Sequence, residues 1–296
     1  MLTWTLLSVA LAGDGPWTVD AGQRTLFLGA DTYRYGRYVG GDGEASALEA
    51  DVVASDVQAV WTRGLRDGVD LQVQIPLEQV RAEDPGSAGC QGRAADFCRP
   101  TRGVGDVAVE VKFRALDELY GAPLTLAVTA SGRSGEAYAA ARDRLTTLGD
   151  GQTDLGVGLE TGRTDVLGHG WYRVSAGLRY WYRLPVRSAE VHDQVDWHVV
   201  GMLAPLGGVA FGPAVHGFSR LGGLDLAQVD LSAPDVWASL DAGQIQVGGK
   251  LCLFAQGDGP TLSFSVLQTV YARNNPADTQ VISAGLGWNL GAREDR

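Results

Sequence analysis

One property of this chain constrains its fold more than any other: apolar and polar residues alternate with a period of two along most of its length. That period is the signature of extended strands whose two faces meet different surroundings. In Val69-Asp70-Leu71-Gln72-Val73-Gln74-Ile75 one face is wholly aliphatic and the other polar. Val107, Val109, Val111 and Phe113 form one face of the next strand, with Glu110, Lys112 and Arg114 opposite. Leu124, Leu126 and Val128 alternate with Thr125, Ala127 and Thr129, and Leu155, Val157 and Leu159 with Asp154, Gly156, Gly158 and Glu160. In Tyr172, Val174, Ala176, Leu178, Tyr180 and Tyr182 the apolar face begins and ends with tyrosine, while Arg173, Ser175 and Arg179 share the other face with Trp171 and Trp181.

The pattern predicts about twelve strands, at 23–37, 48–63, 69–79, 104–116, 122–132, 153–163, 171–184, 194–205, 209–220, 244–255, 261–272 and 279–290. Pro213 and the Gly248-Gly249 pair weaken two of them, since proline lacks a ladder donor and glycine has no side chain to pack. The connections supply an independent test. Tight turns at Arg66-Asp67-Gly68, Leu206-Gly207-Gly208 and Gly257-Asp258-Gly259-Pro260 alternate with longer polar segments at 39–47, 80–103, 133–152, 185–193, 221–243 and 273–278. Outer-membrane barrels show this asymmetry, with short periplasmic turns and long external loops, and single-chain barrels have an even strand number. The expected fold is therefore all-β: an antiparallel transmembrane β-barrel of about twelve strands.

Composition agrees. No window reaches the ~20 consecutive apolar residues that a membrane-spanning helix needs, so a spanning chain of this kind has to be a barrel, in which only every second residue is apolar. Lys and Arg number 24 against 35 Asp and Glu, a net charge of −11, which argues against a nucleic-acid partner. About twelve strands enclose more space than side chains easily fill. The polar face, with Asp70, Gln72, Gln74, Glu110, Lys112, Arg114, Glu160, Arg173 and Arg179, is too charged for a dry core and reads as the lining of a lumen.

The ends add two signals. Residues 1–12, an apolar run closing on Ala10-Leu11-Ala12, resemble the core and cleavage site of a secretory signal peptide, although no Lys or Arg precedes the run. A short lead at 13–22, a barrel domain at 23–290 and a tail at 291–296 follow. At the other end, Ser283, Gly285, Trp288 and Leu290 occupy the defined positions of the last-strand signal by which the barrel-assembly machinery recognises outer-membrane proteins. Export would allow Cys90 and Cys98, which share one Gly/Ala/Asp-rich segment, to form a disulfide. Cys252 falls inside an apolar strand and reads as packing.

In order and content these features resemble the outer-membrane transporters of the MetA-pathway of phenol degradation family. The resemblance rests on Gly15-Pro16-Trp17-Thr18 before the first strand, the Ile75-Pro76-Leu77 step and Gly103-Val104-Gly105-Asp106-Val107. Ala272-Arg273-Asn274-Asn275-Pro276 before the last strand extends it. It implies a barrel labelled a transporter, with aromatic or other hydrophobic compounds as cargo, and supplies no binding residues.

Enzyme chemistry finds no support in the sequence. His216 and Ser219 are three apart and fall on opposite faces of a strand, which does not suit a barrel hydrolase. His192, Asp193, Asp196 and His198 straddle a loop and a strand at no metal-site spacing. Gly103-Val104-Gly105 opens a strand, not a helix, so it is no dinucleotide loop. The Asp-Gly clusters at 149–154 and 257–259 lack the full calcium-loop pattern. The expected protein is a non-enzymatic, cofactor-free channel of the outer membrane, whose partners are membrane lipid, the assembly machinery and a small solute. Arg114, Arg173 and Arg179 are expected at its constriction, with the 80–103 and 221–243 loops folding inward. A structural or surface-binding barrel with an occluded lumen stays open as the alternative.

Overall fold

The computed structural model describes residues 15–83, 99–134, 152–184, 191–206, 208–225, 240–255 and 260–290. The signal-like segment, Cys90, Cys98 and the tail lie outside these residues. The strands are β1 (Arg24–Val39), β2 (Ala45–Arg66), β3 (Val69–Ala82), β4 (Thr101–Val104), β5 (Ala108–Leu116), β6 (Thr125–Arg133) and β7 (Asp154–Leu167). They continue as β8 (Gly170–Arg183), β9 (Gln194–Leu206), β10 (Val209–Arg220), β11 (Gly243–Phe254), β12 (Thr261–Arg273), β13 (Asn275–Pro276) and β14 (Gln280–Asn289). Leaving out the two short strands β4 and β13, twelve strands form a closed antiparallel barrel. Closure is made by β1, which pairs with β2 on one side and with β14 on the other, from Thr25↔Asn289 to Arg34↔Gln280. A closed sheet leaves no unpaired backbone edge, which in hydrocarbon would cost several kcal/mol per group.

The faces are inverted relative to a soluble protein. Ile75, Val111, Phe113, Val157, Leu159, Leu178, Phe264 and Ile282 are exposed on the outside, while Asp31, Gln58, Asp70, Gln74, Lys112 and Glu160 are buried inside. Such an exterior is stable only against lipid. On β1 the outward residues run Leu26, Leu28, Ala30, Thr32, with exposed Arg24 and Arg34 at either end. The eleven residues from Arg24 to Arg34 rise about 33 Å along the strand, which a tilt of about 40° reduces to the ~25 Å apolar band of such barrels. The tight turns mark the periplasmic end and the longer connections the external end. This is the architecture of a bacterial outer-membrane barrel.

The expected strand 104–116 is divided. Residues 101–104 pair with β3 at Val80–Leu77, and pairing resumes only at Ala108↔Gln74. Pro76 lies between and has no N–H to donate, so its position cannot carry a full ladder; its carbonyl instead accepts from the Gly105 N–H at 3.0 Å. Pro213, by contrast, does not end β10. Its pairing with β9 lapses at Gly212 and Pro213, but the ladder to β11 runs through Pro213↔Gly249 unbroken. The turn between β5 and β6 carries a single 3-10 turn at Glu118–Tyr120, capped by the Asp117 side chain.

Candidate functional site in the barrel lumen

The inward face of β5 to β9 is a wall of paired charges. Arg179 on β8 reaches Glu110 on β5 and lies 4.0 Å from Glu160 on β7. Glu160 is 3.2 Å from the His198 imidazole, which stacks 6.0 Å from His216. Toward the external end Arg133 lies 3.8 Å above the Trp181 ring and 3.6 Å from Asp196, which accepts the Trp181 indole N–H at 2.7 Å. Arg183 pairs with Asp154 at 3.4 Å. Buried charges persist only when paired and hydrogen-bonded, and the Arg179–Glu110, Glu160–His198 and Arg133–Asp196 pairs reach over intervening strands, tying β5 to β8, β7 to β9 and β6 to β9. A small polar cavity of about 30 Å³ lies between Gln72, Gln74, Glu110, Arg133 and Arg179, room for about one water.

The wall from β1 to β3 is acidic. Asp31, Asp56 and Glu78 occupy one row, since Asp31 opposes Asp56 and Asp56 opposes Glu78. Gln58 donates to Asp31 at 3.1 Å and Gln74 donates to Gln58 at 2.7 Å. Sequence reasoning missed Asp31, Asp56 and Glu78 as lumen residues, although their positions between Gly29 and Tyr33, Ala54 and Gln58, and Pro76 and Val80 share the inward parity.

Beside these charges runs a continuous apolar stripe that the alternation did not reveal. It begins at the external end with Tyr38 and Leu240, passes Tyr35, Val52, Val80, Val281 and Leu267, and reaches Cys252, Ala210, Met202 and Ala204. Trp171 and Phe254 pack against its periplasmic end, their rings 6.0 Å apart in an edge contact. At the external end of β1 to β3 the alternation is inverted, with inward Tyr35, Val52 and Val80 beside outward Arg34, Asp51 and Arg81, whereas on β10 and β11 inward Ala210 and Cys252 lie beside outward Phe211 and Leu251 and leave no alternation to read.

The residues before β1 enter the lumen from the periplasmic end. The Lys112 ammonium donates to the Gly15 carbonyl at 2.7 Å, and the Val19 N–H donates to the Asp70 carboxylate at 3.1 Å. The Trp17 indole lies 4.2 Å below the Arg173 guanidinium and donates to Glu118 at 3.4 Å. Gly162 makes room for it, since a Cβ there would sit 2.6 Å from the ring. The expected lead at 13–22 is thus, over its described part, a segment held inside the barrel. At the external end the described parts of the 221–243 connection also turn inward. Leu240 is 2% exposed, its carbonyl accepts from Arg220 at 3.1 Å, and Asp225 accepts from the Gly41 N–H at 3.3 Å.

The predicted lumen residues Asp70, Gln72, Gln74, Glu110, Lys112, Arg114, Glu160, Arg173 and Arg179 all have inward strand positions. They do not form one ring. Arg114 pairs with Asp117 at 2.9 Å near the periplasmic turn, Arg173 is engaged by Trp17 and by Thr164 at 3.1 Å, and Arg179 sits higher with Glu110. The expectation that the three arginines share a constriction is therefore corrected: strand position, which sequence parity does not supply, separates them along the axis. In the insertion motif Ser283 and Gly285 face inward, and Trp288 and Leu290 face outward near the periplasmic rim. His192 and Asp193 stay at the external rim, Asp193 accepting from the Tyr180 hydroxyl, whereas Asp196 and His198 point into the lumen. On the lipid side a recess of about 540 Å³ lies over β10 to β12 between Phe211, Pro213, Gly249, Leu251, Phe264 and Val266, and its Pro213 also borders the stretch where β9 and β10 lose their pairing.

No family model matches the sequence, and no curated protein matches it. Solved structures do match in fold. An outer membrane channel from Pseudomonas putida F1 superposes with a TM-score of 0.69 at 14% identity, covering 96% of this chain and 100% of that one. The NanC porin follows with a TM-score of 0.49 at 11% identity, covering 89% of this chain and all of its own. The translocator domain of the autotransporter NalP from Neisseria meningitidis gives 0.45 at 10% identity, covering 91% of this chain and 89% of that chain. The first likeness establishes the twelve-stranded outer-membrane barrel fold.

Proposed function

We propose that this barrel is a channel that passes small hydrophobic or aromatic solutes across the outer membrane, closed at rest by its N-terminal segment. The observation that carries the reading is the apolar stripe, which runs inside the lumen from Tyr38 to Trp171 and Phe254. In this closed state the stripe is packed, each of its buried members under 10% exposed; once opened, it would let a hydrophobic solute leaving water gain about 25 cal/mol for each Å² it buries there. The charged wall opposite gives the solute a polar boundary. The resemblance to the MetA-pathway transporters supports the same cargo class, and the likeness to a solved outer-membrane channel is consistent with it.

The second reading, a structural barrel with an occluded lumen, is favoured by one observation: Asp31, Gln58, Gln74, Glu78 and Lys112 are all under 10% exposed. Proteoliposomes decide between them. Uptake of naphthalene by vesicles carrying the protein, reduced when Leu267→Asp places a charge in the stripe, supports the channel. Equal uptake by protein-free and protein-bearing vesicles, together with electrical silence in planar bilayers, supports the structural barrel. Naphthalene uptake without ion conductance directs attention to the β9–β10 seam and the recess bordering it as the exit.

A further inference from the structure

The outward face at the external rim of β1 to β4 carries a group of exposed arginines directly above the apolar belt. Val53 on β2 opposes both Arg34 on β1 and Arg81 on β3, which puts these two cations in one row about 10 Å apart. Arg102 on β4 opposes Gln79, one outward position below Arg81. Arg37 stands just beyond the bulge of β1 and is exposed, as are Arg81 and Arg102. Arg34 is neutralised within the protein by Asp51 at 2.6 Å and Glu83 at 2.7 Å. The Asp278 carboxylate is occupied by the backbone N–H groups of Gly36 and Arg37. Among the described residues no carboxylate pairs with the guanidinium of Arg37, Arg81 or Arg102.

Immediately below, Leu77 and Val104 oppose each other across β3 and β4 and are 56% and 48% exposed. The footprint thus has two parts in one column, bare aliphatic surface at the depth of acyl chains and, at the depth of head groups, guanidinium groups that no described carboxylate pairs. On the far side of the barrel the outward residues at this level are Tyr180 and Tyr182, with no cation beside them on β8. Unpaired arginines would repel one another unless an anion sits among them, and the guanidinium fork matches phosphate oxygens in pairs.

We propose that this face binds the phosphate groups of an outer-leaflet glycolipid of the lipid A type. Arg81 and Arg102 clamp one phosphate, Arg37 meets a second, and the acyl chains lie along Leu77 and Val104. The site is independent of what passes through the lumen.

The test uses the full chain folded in detergent and titrated with diphosphoryl lipid A, dephosphorylated lipid A and inorganic phosphate, with bound lipid counted by native mass spectrometry. Diphosphoryl lipid A should bind at least tenfold more tightly than the dephosphorylated form, and inorganic phosphate should not compete at equal concentration. Each of R81Q and R102Q should weaken binding about fivefold, and the triple variant R37Q/R81Q/R102Q on the order of a hundredfold. R24Q/R63Q, which removes the exposed pair at the periplasmic rim, should leave it unchanged. Heat-modifiable gel mobility checks folding, and the single variants carry the test if the triple does not fold. Equal binding of phosphorylated and dephosphorylated lipid, competition by inorganic phosphate, or equal loss from the periplasmic-rim variant would overturn the proposal.

Discussion

Replacing Trp17 with alanine should release the N-terminal segment from the lumen. In the resting structure the indole lies 4.2 Å from the Arg173 guanidinium and donates a long bond, 3.4 Å, to Glu118. A partly desolvated cation–π contact of this kind contributes about 1–2 kcal/mol. A hydrogen bond at the limit of its range adds about 0.5 kcal/mol. Withdrawing a half-buried aromatic ring from apolar surroundings costs about 1.5–3 kcal/mol more. The loss is then about 3–5 kcal/mol, and each 1.4 kcal/mol is a factor of ten, so the population of the released state rises by about two to three and a half orders of magnitude. The Lys112 bond to Gly15 and the Asp70 bond to Val19 remain, so release is frequent but not permanent. In planar bilayers the Trp17→Ala protein should show long open events that the parent lacks, and Trp17→Phe, which keeps a ring over Arg173, should fall between them. A cysteine placed at Thr18 should react with a membrane-impermeant thiol reagent much faster in the Trp17→Ala background. If conductance and labelling both match the parent, the segment is held by something other than Trp17 and the reasoning fails.

Three further outcomes follow from the geometry. Leu159→Arg puts a cation on the lipid face, where Leu159 is 53% exposed and opposes Leu178, and should cost about 2–4 kcal/mol near the midplane, whereas Gln72→Arg faces Glu110 inside and should be mild; folding yields into lipid vesicles under urea compare them. Arg179→Leu removes the ion pair of Glu110 and leaves Glu160 to His198, and should destabilise the barrel by about 3 kcal/mol; adding Glu110→Gln should recover part of that in a double-mutant cycle. Gly285→Ala drives a methyl to within 2.0 Å of the Phe27 ring where the first and last strands meet, an overpacking cost of about 1–3 kcal/mol; Phe27→Leu should relieve it, and an unrelieved loss in thermal unfolding would place the strain elsewhere.

The strands were legible because each is a local record. The alternation in 69–75 or 155–159 requires only that neighbouring side chains point to opposite sides, and turn residues at 66–68 and 206–208 mark the ends without knowledge of the rest. Even β10 follows its sequence, because the missing N–H of Pro213 disturbs only the ladder to β9 while that to β11 continues. The strand at 104–116 departed from its pattern because its break is imposed by Pro76 on another strand, which no local period at 104–116 records. Arg114, Arg173 and Arg179 share a parity that the sequence displays, but their separation along the barrel axis follows from strand register. The apolar stripe and the placement of Trp17 inside the lumen belong to tertiary structure entirely. A segment such as Gly15 to Val19 has no period to read, and it is bound by Lys112, Asp70 and Arg173 from three different strands. Alternation by itself says that two faces differ; closing twelve strands into a ring is what turns the aliphatic face to lipid and the charged one inward, since only then is every backbone group paired without water.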